Sequence, residues 1–192
     1  MLPLVLASGS PYRRELLGRL GQPFEWSAPD IDETPFAGES ATDLSQRLAL
    51  AKAQALEKSW PAHLIIGSDQ VLLLEGSPVS KPGNYDAAYK QLNNCSGKTV
   101  RFFTALCLLN TSTGKHQIST EPYDVTFREL TQDQIERYLR REQPYDCAGS
   151  FKMEGLGITL FHALRGEDPN SLIGLPLIRL CDMLAAAGLT LP

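Results

Sequence analysis

The chain has 192 residues, 43% of them hydrophobic and 21% charged, enough for a sizeable core in one domain, with or without two lobes. Its formal net charge of −4 argues against general nucleic-acid binding, which leans on positive charge, but leaves room for a local basic cluster that takes one small anion. No apolar run reaches the length of a membrane-spanning helix, the three histidines are scattered, and Cys95, Cys107, Cys147 and Cys181 form no CxxC, which argues against a membrane-spanning helix and a structural zinc site. The opening "MLPLVLASGSP" lacks the charged n-region and long apolar h-region of a secretory signal, and the expected setting is the reducing cytoplasm.

In chain order, Leu2 to Ala7 is apolar enough for a central strand. Ser10 can cap a following helix and Pro11 suits its first position, with Gly21 stopping it after about Leu20. Phe24 to Ser27 reads as a brief strand. "APDIDETPFAGES", Ala28 to Ser40, is acidic, carries two prolines and shows no period, so it reads as a loop. Ser40 with Asp43 resembles a capping box, opening a helix from Thr42 to about Ser59, with Leu44, Leu48, Ala51 and Ala55 on one face and Pro61 ending it.

His63 to Pro82 has apolar runs on both sides of Ser68-Asp69-Gln70 and a turn at Glu75-Gly76-Ser77, the pattern of a hairpin. Asn84 starts a helix to about Asn94. Thr99–Asn110 and Ile118–Phe127 read as an antiparallel pair joined by "TSTGK". Thr131 with Gln134 makes a second capping box for a charged helix through about Arg141. A glycine-rich loop, Glu142 to Ile158, precedes a short strand at Leu160–Leu164. Asp168-Pro169 starts a helical turn, and Pro176 the last helix, to about Ala187. Parallel-type and hairpin-type strands together argue α/β with a mixed β-sheet and flanking helices, in two lobes around a cleft.

Several residues carry chemistry. A strand, the small residues Ala7, Ser8, Gly9 and Ser10, then a helix start with free N–H groups make an anion site. Cations in a helix's first turn are mildly unfavourable, so Arg13 and Arg14 either extend to solvent at a small cost or partner an anion there, each guanidinium gripping two oxygens. Asp69, between "LIIG" and "VLLL", is either solvated at a strand end or desolvated in a cleft, where it would act as a base or hold a cation. Glu33, beside Asp30 and Asp32, is either a solvated acidic residue or an oxygen ligand for Mg²⁺. Lys52 lies on the flank of the apolar helix face, as a rim lysine would. Lys81 precedes Pro82 and is held extended. Arg13, Arg14, Lys52, Lys81, Glu33 and Asp69 together have the composition of a phosphoryl-transfer site.

The ordered segments "LASGSPYRREL", "DIDETP", "RLALAKA", "IIGSDQ", "SKP", "AGSFKMEGLG" and "GLPL" resemble the Maf family of nucleotide pyrophosphatases, over about Leu4 to Leu184. The resemblance implies one Maf-like domain over 1–192, with a fold similar to that of the inosine-triphosphate pyrophosphatases. It implies hydrolysis of a nucleoside triphosphate to monophosphate and pyrophosphate with Mg²⁺ or Mn²⁺. Asp69 would be the proton acceptor. Ser8, Ser10, Arg13, Arg14, Glu33, Lys52 and Lys81 would line the phosphate and metal site; the metal ligands are expected to be Glu33 and, where it does not serve as the base, Asp69.

Tyr12, Gln70 and Glu154 stand at the positions that sort the family, and "SDQ" with "FKMEG" resembles the subgroup acting on 7-methyl-GTP. That subgroup typically has tryptophan at position 12, and position 9 is often threonine, where this chain has Tyr12 and Gly9. Methylation at N7 makes guanine a cation, which an aromatic face attracts and a glutamate complements. The alternatives are pyrimidine or deaminated purine triphosphates as substrates, or a non-catalytic nucleotide-binding regulator of cell division. The expected partner is a modified nucleoside triphosphate, with neither nucleic acid nor membrane. A homodimer is the expected assembly, two-fold symmetry being the commonest.

Overall fold

A computed structural model describes residues 2–191. The elements are β1 (Leu4–Ala7), α1 (Pro11–Gly18), β2 (Phe24–Ser27), α2 (Ala41–Ala55), β3 (Leu64–Leu74), β4 (Ser77–Val79), α3 (Tyr85–Cys95), β5 (Thr99–Asn110), β6 (His116–Phe127), α4 (Gln132–Glu142), a 3₁₀ turn (Leu156–Leu160), β7 (Phe161–Arg165), α5 (Pro169–Ile173) and α6 (Leu177–Ala186). The strands run in the order β2-β1-β3-β5-β6-β7, with β4 on β3. β1 is parallel to β2 and β3, Leu4 standing opposite Phe24 and Leu64, whereas β3–β4 and β6–β7 are antiparallel. The mixed sheet with flanking helices is therefore the one the sequence leads to.

The chain divides into two compact units, one of residues 2–70, 104–121 and 168–191, the other of 71–103 and 122–167. In the first, strand alternation sorts the core. Leu4 and Leu6 of β1, Leu64 and Ile66 of β3, and Leu106 and Leu108 of β5 pack with Leu16 and Leu17 of α1 and Leu180 and Leu184 of α6. The intervening residues Val5, Ala7, Ile65, Ala105 and Cys107 pack with Ala49 and Ala53 of α2. Successive strand residues face opposite sides, so each strand serves both faces, and each large aliphatic side chain buried this way contributes roughly 1.5–3 kcal/mol.

The second unit is held by four phenylalanines. Phe151 meets Phe161 edge-on at 4.8 Å between ring centroids, and Phe127 and Phe102 at 5.7 and 5.6 Å. Its hairpin turns on Glu75 and Gly76, both at positive φ (52° and 80°), the conformation a tight two-residue hairpin demands.

The N-caps fall where the sequence puts them, at Ser10, Ser40, Asn84, Thr131 and Asp168. Thr131 and Gln134 form the full reciprocal capping box. Two helices are shorter than expected. α1 ends at Gly18 rather than Leu20, and α2 ends at Ala55 rather than Ser59, the chain turning through Trp60 before Pro61. β6 begins earlier, at His116 rather than Ile118.

Candidate functional site

The first unit gathers charge around β3. By parity, Gly67 and Asp69 face α2, while Ser68 and Gln70 face away from it. A Cβ on Gly67 would run into the backbone carbonyl of Ala49, so the bare glycine lets α2 lie directly on the strand. That approach brings Lys52, one turn beyond Ala49, against Asp69. Lys52 Nζ donates to Asp69 Oδ1 at 2.5 Å and pairs with Glu33 Oε1 at 2.8 Å. Asp69 is 7% exposed and Lys52 8%.

The expectation that Lys52 sits on the rim of an apolar face is overturned. α2 buries Leu44, Ser45, Leu48, Ala49, Lys52 and Ala53, while Ala55 is exposed. A lysine can occupy that face because two carboxylates neutralise it there.

Burial pushes the Asp69 carboxyl above its ordinary pKa of 3.8, an effect only partly offset by Lys52 and then Arg13. The strand-end reading with Asp69 in water does not hold. The residue lies within an eleven-residue strand.

The loop after β1 builds a second part of the site. Ser8, buried, accepts from the backbone N–H of Ser10, and Ser10 Oγ accepts from Arg13 N at the start of α1. Arg13 Nε donates to the carbonyl of Gly174 at 2.7 Å. Burial lowers the Arg13 pKa, with Asp69 and Glu33 working against that. Arg14, about 100° further round the helix, lies over the ring of Trp26 at 3.9 Å. The two arginines in the first turn thus have different fates: one donates to the Gly174 carbonyl, the other lies on an edge-strand tryptophan. Tyr12, half-buried, precedes them on the same turn.

Gln70 is engaged within the fold. Its Nε2 lies 2.9 Å from Thr104 Oγ1 and from Ser171 O, and 3.2 Å from Leu172 O, so it braces α5. Ser68 Oγ lies 2.8 Å from Ala105 O and 2.9 Å from Gly174 O. Asp168, 2% exposed, uses one oxygen on Asn170 and the other on the N–H of Ile178, fixing the corner between α5 and α6. Lys81 and Glu154 belong to the second unit. Lys81 is exposed just after β4, and Glu154 is exposed in the turn before the 3₁₀ segment.

Sequence reasoning missed Arg47, Glu39, Ser68, Asp168 and Gly174 as site-building residues. Arg47, Ser68 and Gly174 had a visible signal, lying within the "RLALAKA", "IIGSDQ" and "GLPL" segments.

Among the described residues, no group of three or more His, Cys, Asp or Glu side chains is gathered to hold a metal. Glu33 and Asp69 nevertheless offer two hard carboxylate donors around one ammonium. That set suits a cation such as Mg²⁺, which takes one or two carboxylates and completes its shell with phosphates and water.

A family model described as "Maf-like protein" matches residues 3–187. A curated protein from Pseudomonas putida named "7-methyl-GTP pyrophosphatase" is 56% identical over 192 residues, covering all of both chains. One of the same name from Chromohalobacter salexigens is 56% identical over 98% of each chain. A solved structure of the Staphylococcus aureus Ham1 protein aligns at 15% identity over 66% of this chain and 72% of that one, with a TM-score of 0.48. Matched along nearly its whole length, the chain belongs to the Maf family.

Proposed function

We propose that this protein hydrolyses 7-methyl-GTP to 7-methyl-GMP and pyrophosphate, as a metal-dependent nucleoside triphosphate pyrophosphatase of the cytoplasm. The observation that carries the proposal is the buried Asp69 on Lys52, shared with Glu33 and close enough to Arg13 to feel its charge. The names of relatives identical at more than half their positions support the choice of substrate.

Asp69 has the properties of a general base. Its desolvated carboxylate has a raised pKa, nearer the range where a base works well, and Lys52 fixes its orientation. It orients a water and takes its proton as the water attacks the α-phosphorus. Pyrophosphate is the leaving group. Its developing charge falls to Arg13 and Lys52, and the family resemblance adds Arg14 and Lys81 to the cations that serve the phosphates.

Lys52 and Arg13 against Glu33 and Asp69 leave the resting cluster close to neutral, so a triphosphate's several negative charges need additional cations. Glu33 would hold the divalent metal, Mg²⁺ or Mn²⁺, with Asp69 as a second ligand only where it is not the base. When bound, it supplies Lewis-acid stabilisation of phosphate charge. At the base, Tyr12 offers an aromatic face to the methylated, cationic purine, an attraction worth roughly 0.5–2 kcal/mol. Glu154 accepts from guanine N1–H and its amino group while complementing the positive charge.

The test is a panel of GTP, 7-methyl-GTP, inosine triphosphate, UTP and dTTP, measuring pyrophosphate release with and without Mg²⁺. We expect 7-methyl-GTP to be turned over fastest, Mg²⁺ removal to abolish turnover, and Asp69→Asn to lose at least about 100-fold, in line with general-base catalysis. Equal rates on GTP and 7-methyl-GTP would remove the role given to Glu154. Near-normal turnover by Asp69→Asn would remove the mechanism.

A further inference from the structure

We propose that Arg47 is a positioning residue for Glu33: it staples the loop between β2 and α2 to the helix, so that the Glu33 carboxylate is delivered to Lys52. This loop, residues 28–40, has no regular secondary structure. A segment that long would ordinarily sample many conformations, and ordering each residue costs roughly 1–2 kcal/mol. Glu33 stands near its middle, with its side chain 58% exposed, yet its Oε1 lies 2.8 Å from Lys52 Nζ. Some other contact has to hold the backbone there.

Arg47 makes three such contacts at once. Its Nε and Nη2 donate to the two oxygens of Glu39 at 2.6 and 2.8 Å, a bidentate pair. Nη2 also reaches the carbonyl of Thr34, the residue next to Glu33, at 3.1 Å. The guanidinium lies over the Phe36 ring at 4.0 Å, giving that otherwise exposed side chain a partner.

Glu39 is itself tied into the loop, since its Oε2 accepts from Phe36 N at 3.0 Å. Its pKa falls to about 2, chiefly because of Arg47, so the clamp keeps its charge across working pH. Isolated surface ion pairs are worth little, but this one is bidentate, with the Glu39 side chain 8% exposed, and it engages backbone and an aromatic ring as well. α2 thereby grips the loop twice, Arg47 holding its backbone and Lys52 the carboxylate it presents.

The role rests on the assignment of Glu33 to the phosphate and metal site, and the experiment separates the two. Hydrogen exchange of the Phe36 and Glu39 amides is measured for wild type, Arg47→Ala, Arg47→Lys and Glu39→Gln. kcat and KM are then measured with 7-methyl-GTP across a Mg²⁺ titration. Arg47→Ala is expected to speed exchange in the loop while leaving the α6 amides unchanged, and to lower kcat/KM about 10–100-fold, as loss of a supporting partner does. Arg47→Lys, which keeps the charge but not the fork, is expected to fall between. In a Glu33→Gln background, Arg47→Ala is expected to add no further loss, an outcome a merely structural role would not give.

Unchanged loop exchange, or losses that multiply in the Glu33→Gln background, would overturn the proposal. Should Arg47→Ala fail to fold, Glu39→Gln carries the same test with the same expected direction. A wild type inactive on every triphosphate would sink the function instead, leaving loop exchange to decide the clamp by itself.

Discussion

Replacing Lys52 by methionine keeps most of the side chain's length and removes its charge, isolating the pair at the centre of the site. Lys52 Nζ meets Asp69 at 2.5 Å with both side chains 10% exposed. Removing one member of a buried pair typically costs about 3–5 kcal/mol, because the other charge stays buried. Protonation sets a ceiling. Neutralising a carboxyl of ordinary pKa 3.8 at pH 7 takes about 4 kcal/mol at ~1.4 kcal/mol per unit. The expected loss at pH 7 is therefore about 3–4 kcal/mol.

Its pH dependence has a definite sign. A carboxyl whose folded pKa lies above the unfolded value contributes most to stability at low pH, and that contribution is lost as pH rises through the folded value. Asp69 is already raised, and without Lys52, the largest influence lowering it, it rises further. The Lys52→Met penalty should shrink from pH 8 toward pH 5, by ~1.4 kcal/mol per unit wherever the variant's carboxyl is protonated and the wild type's is not.

Both tryptophans, Trp26 and Trp60, lie in the unit that holds the pair, so urea unfolding followed by their fluorescence reports on the right unit. Lys52→Met/Asp69→Asn should recover most of the loss. A penalty below about 1 kcal/mol at pH 7, or one that does not change with pH, would refute the reasoning, since a buried pair cannot lose a partner so cheaply.

Gly67→Ala is expected to push α2 off β3, losing about 1–3 kcal/mol by overpacking and most of the turnover, because Lys52 is displaced with the helix. Wild-type urea midpoint and activity would contradict it. Asp168→Asn keeps one acceptor where two are used, on Asn170 and Ile178, and is expected to lose about 1–3 kcal/mol in the same melt, with no loss counting against the cap assignment. All four thiols are raised, Cys95 to about 11 and Cys107 and Cys147 to about 12, each chiefly by burial. The native protein at pH 8 should therefore be alkylated slowly by iodoacetamide, and fast modification of one thiol per chain would show the burial to be wrong.

The elements were legible because their signals are local. Ser10-Pro11, Asn84 and Thr131 with Gln134 mark helix starts through contacts two or three residues away, and the hairpin turn needs only Glu75 and Gly76. The face of α2 was not legible. Its stripe is phased by alanines, whose weak hydrophobicity lets Ala51 and Ala55 stand in for Ala49 and Ala53. What decides the phase is Gly67 on another element, with space only for α2's backbone. Gln70 shows the same limit. The resemblance marks it as a position that sorts the family, and only the fold shows its amide nitrogen bound to Thr104 and to α5 carbonyls a hundred residues further along the chain.

Lys52 and Asp69 explain each other only in three dimensions. Taken singly, a lysine on a helix flank is a rim residue and an aspartate in an apolar strand is a liability. Together with Glu33 and Arg13 they make a set of balanced charge in which Lys52 and Asp69 are buried. Two of the three donors on the Lys52 ammonium go to carboxylates, and the proposed reaction would give the third to a phosphate oxygen. Asp69 still sits above its ordinary pKa despite that support, so the fold holds a carboxylate in a position that costs stability. A structural ion pair would be cheaper to replace by apolar side chains, and the retained cost is what the base role proposed for Asp69 would require.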